Sequence, residues 1–372
     1  MLSTKTRAIP LSVALAGTLA LAACGAANEG SSNTAAASGS ASGGAGQLSG
    51  TLNGAGSSAQ QAAMQAWQAG FSAQQSGVTV NYDPVGSGGG REQFLSGGVD
   101  FAGSDSPLDE DELKQAADRC GAGGVFEVPD YISGIAVIYN LPGVDELNLS
   151  PATVAGIFTG DITTWNDDAI AKDNPDAKLP DTAVTPVHRS DDSGTTKNFT
   201  DYLSKAAGDT WTDEPDGLWP LEGGEAGNGT SGVVSSVQSG EGAIGYADAS
   251  QAGKLGVAKI GVGGEFVAPS PEGEAAVVEN SELQTGRGEH DLAYDVNRTT
   301  TSADEYPVVL VSYLIGCVQY DNEDTAGLVK GFVSYVVSEE GQKAAAEAAG
   351  SAPLSSGLTA KVSQAVDAVG AA

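Results

Sequence analysis

The chain has 372 residues and carries 17 Lys and Arg against 48 Asp and Glu, a formal charge of −31. That balance excludes nucleic-acid binding through a general basic face, which needs clustered Lys and Arg. It leaves room for a small anion held by backbone N–H groups and one well-placed Arg. With 40% hydrophobic residues the chain can bury real cores, which excludes a wholly disordered protein. Its length suits two packed lobes better than one.

In chain order, Lys5 and Arg7 come first and precede an apolar run from Ala8 to Ala23. The run is shorter than the roughly 20 residues of a spanning helix, so residues 1–23 read as a signal sequence. Its end, Leu21-Ala22-Ala23-Cys24, resembles the lipobox of bacterial lipoproteins, which implies a diacylglycerol anchor on Cys24. Residues 24–47 are nearly all Gly, Ala, Ser, Asn and Thr, a flexible tether. The folded part is expected from Leu48 onward, extracytoplasmic and tied to the outer face of the cell membrane. Loss of Lys5 and Arg7 takes the formal charge to −33. Cys120 and Cys317 remain as an even pair in an oxidising compartment, either a disulfide or two buried thiols.

Beyond the tether, short β-branched runs alternate with helical stretches, the pattern of an α/β sheet. Residues 78–82, 135–139 and 307–315 read as strands. Met64, Trp67 and Phe71 recur at helical spacing, as do Phe199, Tyr202 and Leu203; both sets read as core. Four loops between such elements carry polar chemistry. The first, residues 53–59, precedes the helix bearing Met64. The second, Gly86-Ser87-Gly88-Gly89-Gly90, reads as a turn before a helix at 92–95. The third, residues 100–105, ends a β-like run at Asp105. The fourth, residues 188–195, leads into the helix bearing Phe199. Glycine lets backbone approach a ligand closely, and Ser or Thr at a helix start aims hydroxyl and N–H at an anion. Together these loops predict a dehydrated oxyanion site with a single Arg.

The order of these motifs resembles the phosphate-binding protein of bacterial ABC phosphate importers, from about Leu48 to the C-terminal region. Asn53-Gly54-Ala55-Gly56-Ser57-Ser58-Ala59 stands for that family's Gly-Ala-Gly-x-Thr-Phe-Pro, with Ser58 for the Thr and Ala59 for the Phe. Val85-Gly86-Ser87-Gly88-Gly89-Gly90 matches its Gly-Ser-rich turn. Residues 99–108 nearly reproduce Asp-Phe-Gly-Ala-Ser-Asp-Ala-Pro-Leu, and Arg189-Ser190-Asp191-Asp192-Ser193-Gly194-Thr195 matches Arg-x-Asp-x-Ser-Gly-Thr. Residues 157–167 and 242–246 add support. The resemblance implies a two-lobed periplasmic-binding-protein fold of type II kind, with a hinge and a ligand cleft. Lobe one would be 48–140 plus 306–372, and lobe two 141–305. It implies phosphate ligands at Ser58, Ala59, Ser87, Asp105, Arg189, Ser193, Gly194 and Thr195, with Asp191 orienting Arg189. It further implies delivery to ABC permease subunits by a monomer that needs no cofactor or metal.

Selectivity is expected from Asp105, whose carboxylate accepts the proton of hydrogen phosphate but faces only acceptors on sulfate. An unmet buried pair of that kind costs roughly 1–3 kcal/mol. Three other readings compete. A sulfate- or molybdate-type receptor would bind without that proton. A phosphate sensor would have no transport role. A hydrolase would use Ser193 as nucleophile with His188 as base; yet no Gly-x-Ser-x-Gly elbow surrounds Ser193, and His290 is the only other His. Two His and two spare Cys show no metal-ligand spacing.

Overall fold

The computed structural model describes residues 47–372. The expected signal sequence, Cys24 and nearly all of the tether therefore lie outside the described residues. Among the described residues no helix is long and apolar enough to cross a membrane.

The chain opens with strand β1 (Ser49–Gly56), helix α1 (Gln61–Gln74), strand β2 (Gly77–Asp83), helix α2 (Ser87–Leu95) and strand β3 (Phe101–Ser104). β1 lies parallel to both β2 and β3. Helix α1 buries Met64, Trp67 and Phe71, as their spacing predicts. Phe71 meets Phe332 edge-on at 5.5 Å, and Trp67 Nε1 donates to Gly341 O at 2.8 Å. Helix α3 (Glu110–Cys120) follows; Cys120 at its end is joined to Cys317 in a disulfide with Cα atoms 5.2 Å apart.

Strand β4 (Val125–Tyr139) organises the rest. Up to Gly134 it pairs antiparallel with the strand Val309–Cys317; from Ile135 it pairs instead with the strand Ala243–Asp248. One continuous strand thus belongs to both halves of a nine-stranded sheet. In the second half the parallel strands Thr185–Arg189, Glu225–Gly227 and Ala243–Asp248 alternate with helices Gly194–Ala206 and Gly229–Ser239. Phe199 stacks on Tyr246 at 4.4 Å there.

The changeover between Gly134 and Ile135 comes before Asn140, where the sequence places the first lobe's end. The returning chain runs beside it. Ile135 N–H donates to Val308 O at 2.7 Å, and the Tyr306 hydroxyl donates to Ile135 O at 2.9 Å. One stretch reaches across the expected boundary. Arg287 bonds to Glu127 of β4, to Asp291 at 2.7 Å and to Leu108 O at 3.0 Å. Buried Glu127 attracts that cation and draws the segment onto the first half.

Candidate functional site

Ligands of parallel sheets gather beyond the carboxyl ends of the strands. Five such ends converge here. β1 runs into Ser57 and Ser58, β2 into Gly86 and Ser87, and β3 into Asp105. In the second half, Thr185–Arg189 runs into Ser193, and Glu225–Gly227 into Gly229 and Thr230. Four of these loops open helices, so four helix N-termini, with their first N–H groups and positive dipole ends, meet.

The sequence expects Gly86–Gly90 to be a turn, yet helix α2 begins at Ser87 and includes Gly88, Gly89 and Gly90. Gly88 and Gly90 are required by contact rather than by turning. A Cβ on Gly90 would lie 2.4 Å from Gly56 Cα, and one on Gly88 would lie 2.2 Å from the Asp192 carboxyl carbon. Gly194 is equally tight, its missing Cβ 2.7 Å from Ser87 Oγ and 2.8 Å from Asp105 Cβ.

Asp105, 2% exposed, is the centre of one cluster. Thr195 Oγ1 donates to Oδ2 at 3.1 Å, Ser87 Oγ reaches the same oxygen at 3.5 Å, and Ser312 Oγ donates to Oδ1. Asn198 Nδ2 donates to Asp105 O at 2.6 Å. Behind it, buried Arg91 donates to Glu112 at 2.8 Å and to the hydroxyls of Ser104 and Ser106 at 3.2 and 2.9 Å. Arg91 therefore clamps the residues on both sides of Asp105.

The second cluster centres on Arg189, 3% exposed and the last residue of its strand. Its Nε donates to Asp191 Oδ1 at 2.8 Å and its Nη2 to Oδ2, a planar two-point pair. Burial pushes the Asp191 carboxyl up, but bonding to Arg189 and its charge outweigh this and hold it below the usual range. Gly229 N–H also donates to Asp191 Oδ1 at 3.0 Å. Asp191 is thereby fixed as an anion that orients Arg189.

Bonds cross between the two halves. Ser58 Oγ pairs with Thr230 Oγ1 and accepts from Thr230 N–H, both at 3.0 Å. Gln251 Nε2 donates to Ser58 O and Ala59 O at 2.9 and 3.1 Å. Gly88 N–H donates to Asp192 O at 3.2 Å. Ser87, Asp105, Gly194 and Thr195 are thus in one cluster, while Arg189, Asp191 and, through Gly229 and Thr230, Ser58 form the other. The Ala59 N–H turns aside to Ser57 Oγ at 3.1 Å. Ser193 caps its helix, its Oγ accepting from Thr196 N–H at 3.2 Å.

His188 faces away from that hydroxyl. Its ring nitrogens lie 2.8 and 3.2 Å from the carbonyls of Arg189 and Gly223, and its ring stacks on Trp219. Among the described residues no group of His, Cys, Asp and Glu is arranged to hold a metal ion.

Sequence reasoning missed Thr230, Ser312, Asn198 and Arg91. Asn228-Gly229-Thr230 repeats the design of Ser193-Gly194-Thr195, and Ser312 is the lone Ser or Thr in an otherwise apolar and aromatic strand; both signals are legible. Asn198 and Arg91 act through the fold and leave none.

A family model described as the PBP superfamily domain matches residues 35–340. Phosphate-binding protein PstS2 of Mycobacterium bovis (strain BCG / Pasteur 1173P2) is 35% identical over 301 residues, covering 79% of this chain and 80% of its own. Phosphate-binding protein PstS of Xylella fastidiosa (strain 9a5c) is 36% identical over 257 residues, 67% of each chain. Among solved structures, a high-affinity periplasmic phosphate-binding protein (PfluDING) with phosphate bound has a TM-score of 0.67 at 24% identity, covering 84% of this chain and 93% of that one. A putative phosphate ABC transporter substrate-binding protein from Clostridium perfringens, also with bound phosphate, has a TM-score of 0.58 at 20% identity, covering 82% and 100%. The structural likenesses establish the two-lobed fold, and the sequence relatives place the chain: it belongs to the PBP superfamily, among the phosphate-binding proteins.

Proposed function

We propose that the protein is a lipid-anchored, extracytoplasmic receptor that captures inorganic phosphate between its lobes and delivers it to the membrane subunits of an ABC phosphate permease. It acts as a monomer, without turnover and without a cofactor. The lobes are taken as 48–140 with 306–372, and 141–305, hinged where β4 changes partner.

The observation that carries this reading is the company Asp105 keeps. A buried carboxylate stands among Ser87, Gly194 and Thr195, at the start of one helix and beside another. The proposed donors for an anion are Ser58, Ser87, Ser193, Gly194 and Thr195, joined by Ala59 if its N–H leaves Ser57, with Arg189 supplying the countercharge. Asp105 adds the single acceptor, which suits an oxyanion that still bears a proton. Hydrogen phosphate meets that requirement at neutral pH; sulfate does not, and would leave two acceptors opposed at a cost of about 1–3 kcal/mol. The acidic exterior gives no long-range attraction, so the helix ends and Arg189 supply it at contact range.

The test is calorimetric titration of the soluble form from Leu48, stripped of ligand, with phosphate and then sulfate. Tight phosphate binding without a sulfate response, lost in Asp105→Ala and Arg189→Ala, is the expected result. Equal binding of both anions would show that Asp105 does not face the ligand.

A further inference from the structure

Asp130 has no part in the site described so far. It lies in β4 where the ladder slips: Tyr131 pairs with Ser312 and Pro129 with Tyr313, so Asp130 is the extra residue of a β-bulge. A bulge takes its extra residue out of strict alternation and re-aims the side chain. Ser312, the partner of the adjacent Tyr131 at the slip, holds Asp105. Asp130 is 0% exposed, and neither carboxyl oxygen has a hydrogen-bond partner among the described residues.

Among the described residues no cation is paired with Asp130, and polar groups lie near it. Tyr82 of β2 feels the charge of both Asp105 and Asp130. The Tyr82 hydroxyl donates to Ser57 O at 3.1 Å and accepts from Gln60 Nε2 at 3.4 Å. Gln60 Oε1 is itself buried and unpartnered. Gln342 Nε2 donates to the Asp130 backbone carbonyl at 2.9 Å and to Val336 O at 3.0 Å, not to the Asp130 carboxyl. Burial first, and the charge of Asp105 second, hold the Asp130 carboxyl well above the usual range, against the pull of its own and Tyr131's N–H groups. An unpaired buried carboxylate is costly, and the neutral acid is the form such a place tolerates.

We infer that Asp130 is a second carboxyl of the anion site, carrying a proton while the cleft holds its ligand, so that capture of the anion is coupled to proton uptake from solvent. This rests on the phosphate reading above. A bound dianion close to Asp105 and Asp130 favours the neutral acid further. By linkage, binding then weakens as rising pH strips Asp130 in the free receptor.

The experiment measures phosphate dissociation constants of the wild type and Asp130→Asn from about pH 6 to pH 9.5. Phosphate's own ionisation cancels in their ratio, because both proteins meet the same ligand. Asparagine mimics the neutral acid. The two constants should agree within about twofold at the acid end, and the wild type should then weaken relative to the variant by up to about tenfold per pH unit. A ratio that stays constant with pH overturns the inference. A wild-type measurement guards against a variant that does not fold: calorimetry at about pH 9 in two buffers of unlike ionisation heat. Free phosphate is there already the dianion, so uptake of a fraction of a proton supports the inference and zero uptake overturns it. Absence of phosphate binding by the wild type at every pH would sink the phosphate reading itself, a result distinct from binding without proton linkage.

Discussion

Replacing Arg189 by Lys keeps a positive charge in the cleft and removes the planar fork. Of the five N–H groups a guanidinium carries, two go to Asp191, so three are left for a ligand. A lysine ammonium can sit against Asp191 or reach toward the anion, but it cannot reproduce both directions at once. The loss is therefore one charge-assisted hydrogen bond or slightly more, about 1.5–3 kcal/mol, which corresponds to a phosphate dissociation constant raised about 10- to 150-fold. Arg189→Met goes further. The Arg and Asp side chains are 2% and 12% exposed, so Asp191 would be left buried without its countercharge, costing about 3–5 kcal/mol of stability. Titration calorimetry gives the first quantity and denaturant unfolding the second. If Arg189→Lys bound phosphate within twofold of the wild type while unfolding normally, the guanidinium would not be at the anion, and the assignment of this cluster would fail.

Three further outcomes follow from the same geometry. Gly194→Ala should cut phosphate affinity by more than tenfold with little change in the unfolding of the ligand-free protein, because the new Cβ strikes Ser87 and Asp105 across the seam; unaltered affinity would refute the tight closure of the seam at Gly194. Reducing the Cys120–Cys317 bond, which closes a separation of 197 residues, should lower stability by about 3–5 kcal/mol and leave phosphate affinity unchanged; denaturant unfolding with and without reductant measures it. Glu274 lies against Gly134 at the β4 changeover, and burial, then the charge of Asp248, raise its carboxyl to about 8. The folded state therefore keeps a proton that the unfolded chain has already lost, so this group's contribution falls as pH rises from about 4.5 toward 8. The melting temperature of Glu274→Gln should rise relative to wild type over that interval, and a difference that does not vary with pH would refute the buried-acid assignment.

Much of the site was legible because its residues sit where hydrophobic periodicity stops. Ser58, Ser87, Asp105 and Ser193 each follow a β-rich run and precede a helix or turn, and that local grammar survives in one dimension. The helices bearing Trp67 and Phe199 were readable from their buried faces for the same reason. What escaped was long-range. The first part of β4 hides behind Pro129 and Asp130, which break a strand pattern that the bulge accommodates. The helical start at Ser87 is masked by three glycines of poor helix propensity, two of them, Gly90 and Gly88, crowded by Gly56 and Asp192. Arg91 looks like a surface residue of its helix until Ser104, Ser106 and Glu112 fold against it, and Asn198 until Asp105 of the other half meets it.

The burial of the proposed anion residues has a kinetic meaning. Asp105, Arg189, Ser193 and Thr195 are each 3% exposed or less, and Ser58–Thr230 and Gly88–Asp192 bonds span the seam. No ion reaches or leaves such a place by diffusion alone; the halves must first part. Residence time is then set by how often the seam opens, rather than by how strongly each donor holds the ligand. Thr230→Val would shorten that residence time without removing any of the proposed donors. A membrane partner that pulled the two halves apart would release the cargo in one step, with no need to compete for it contact by contact.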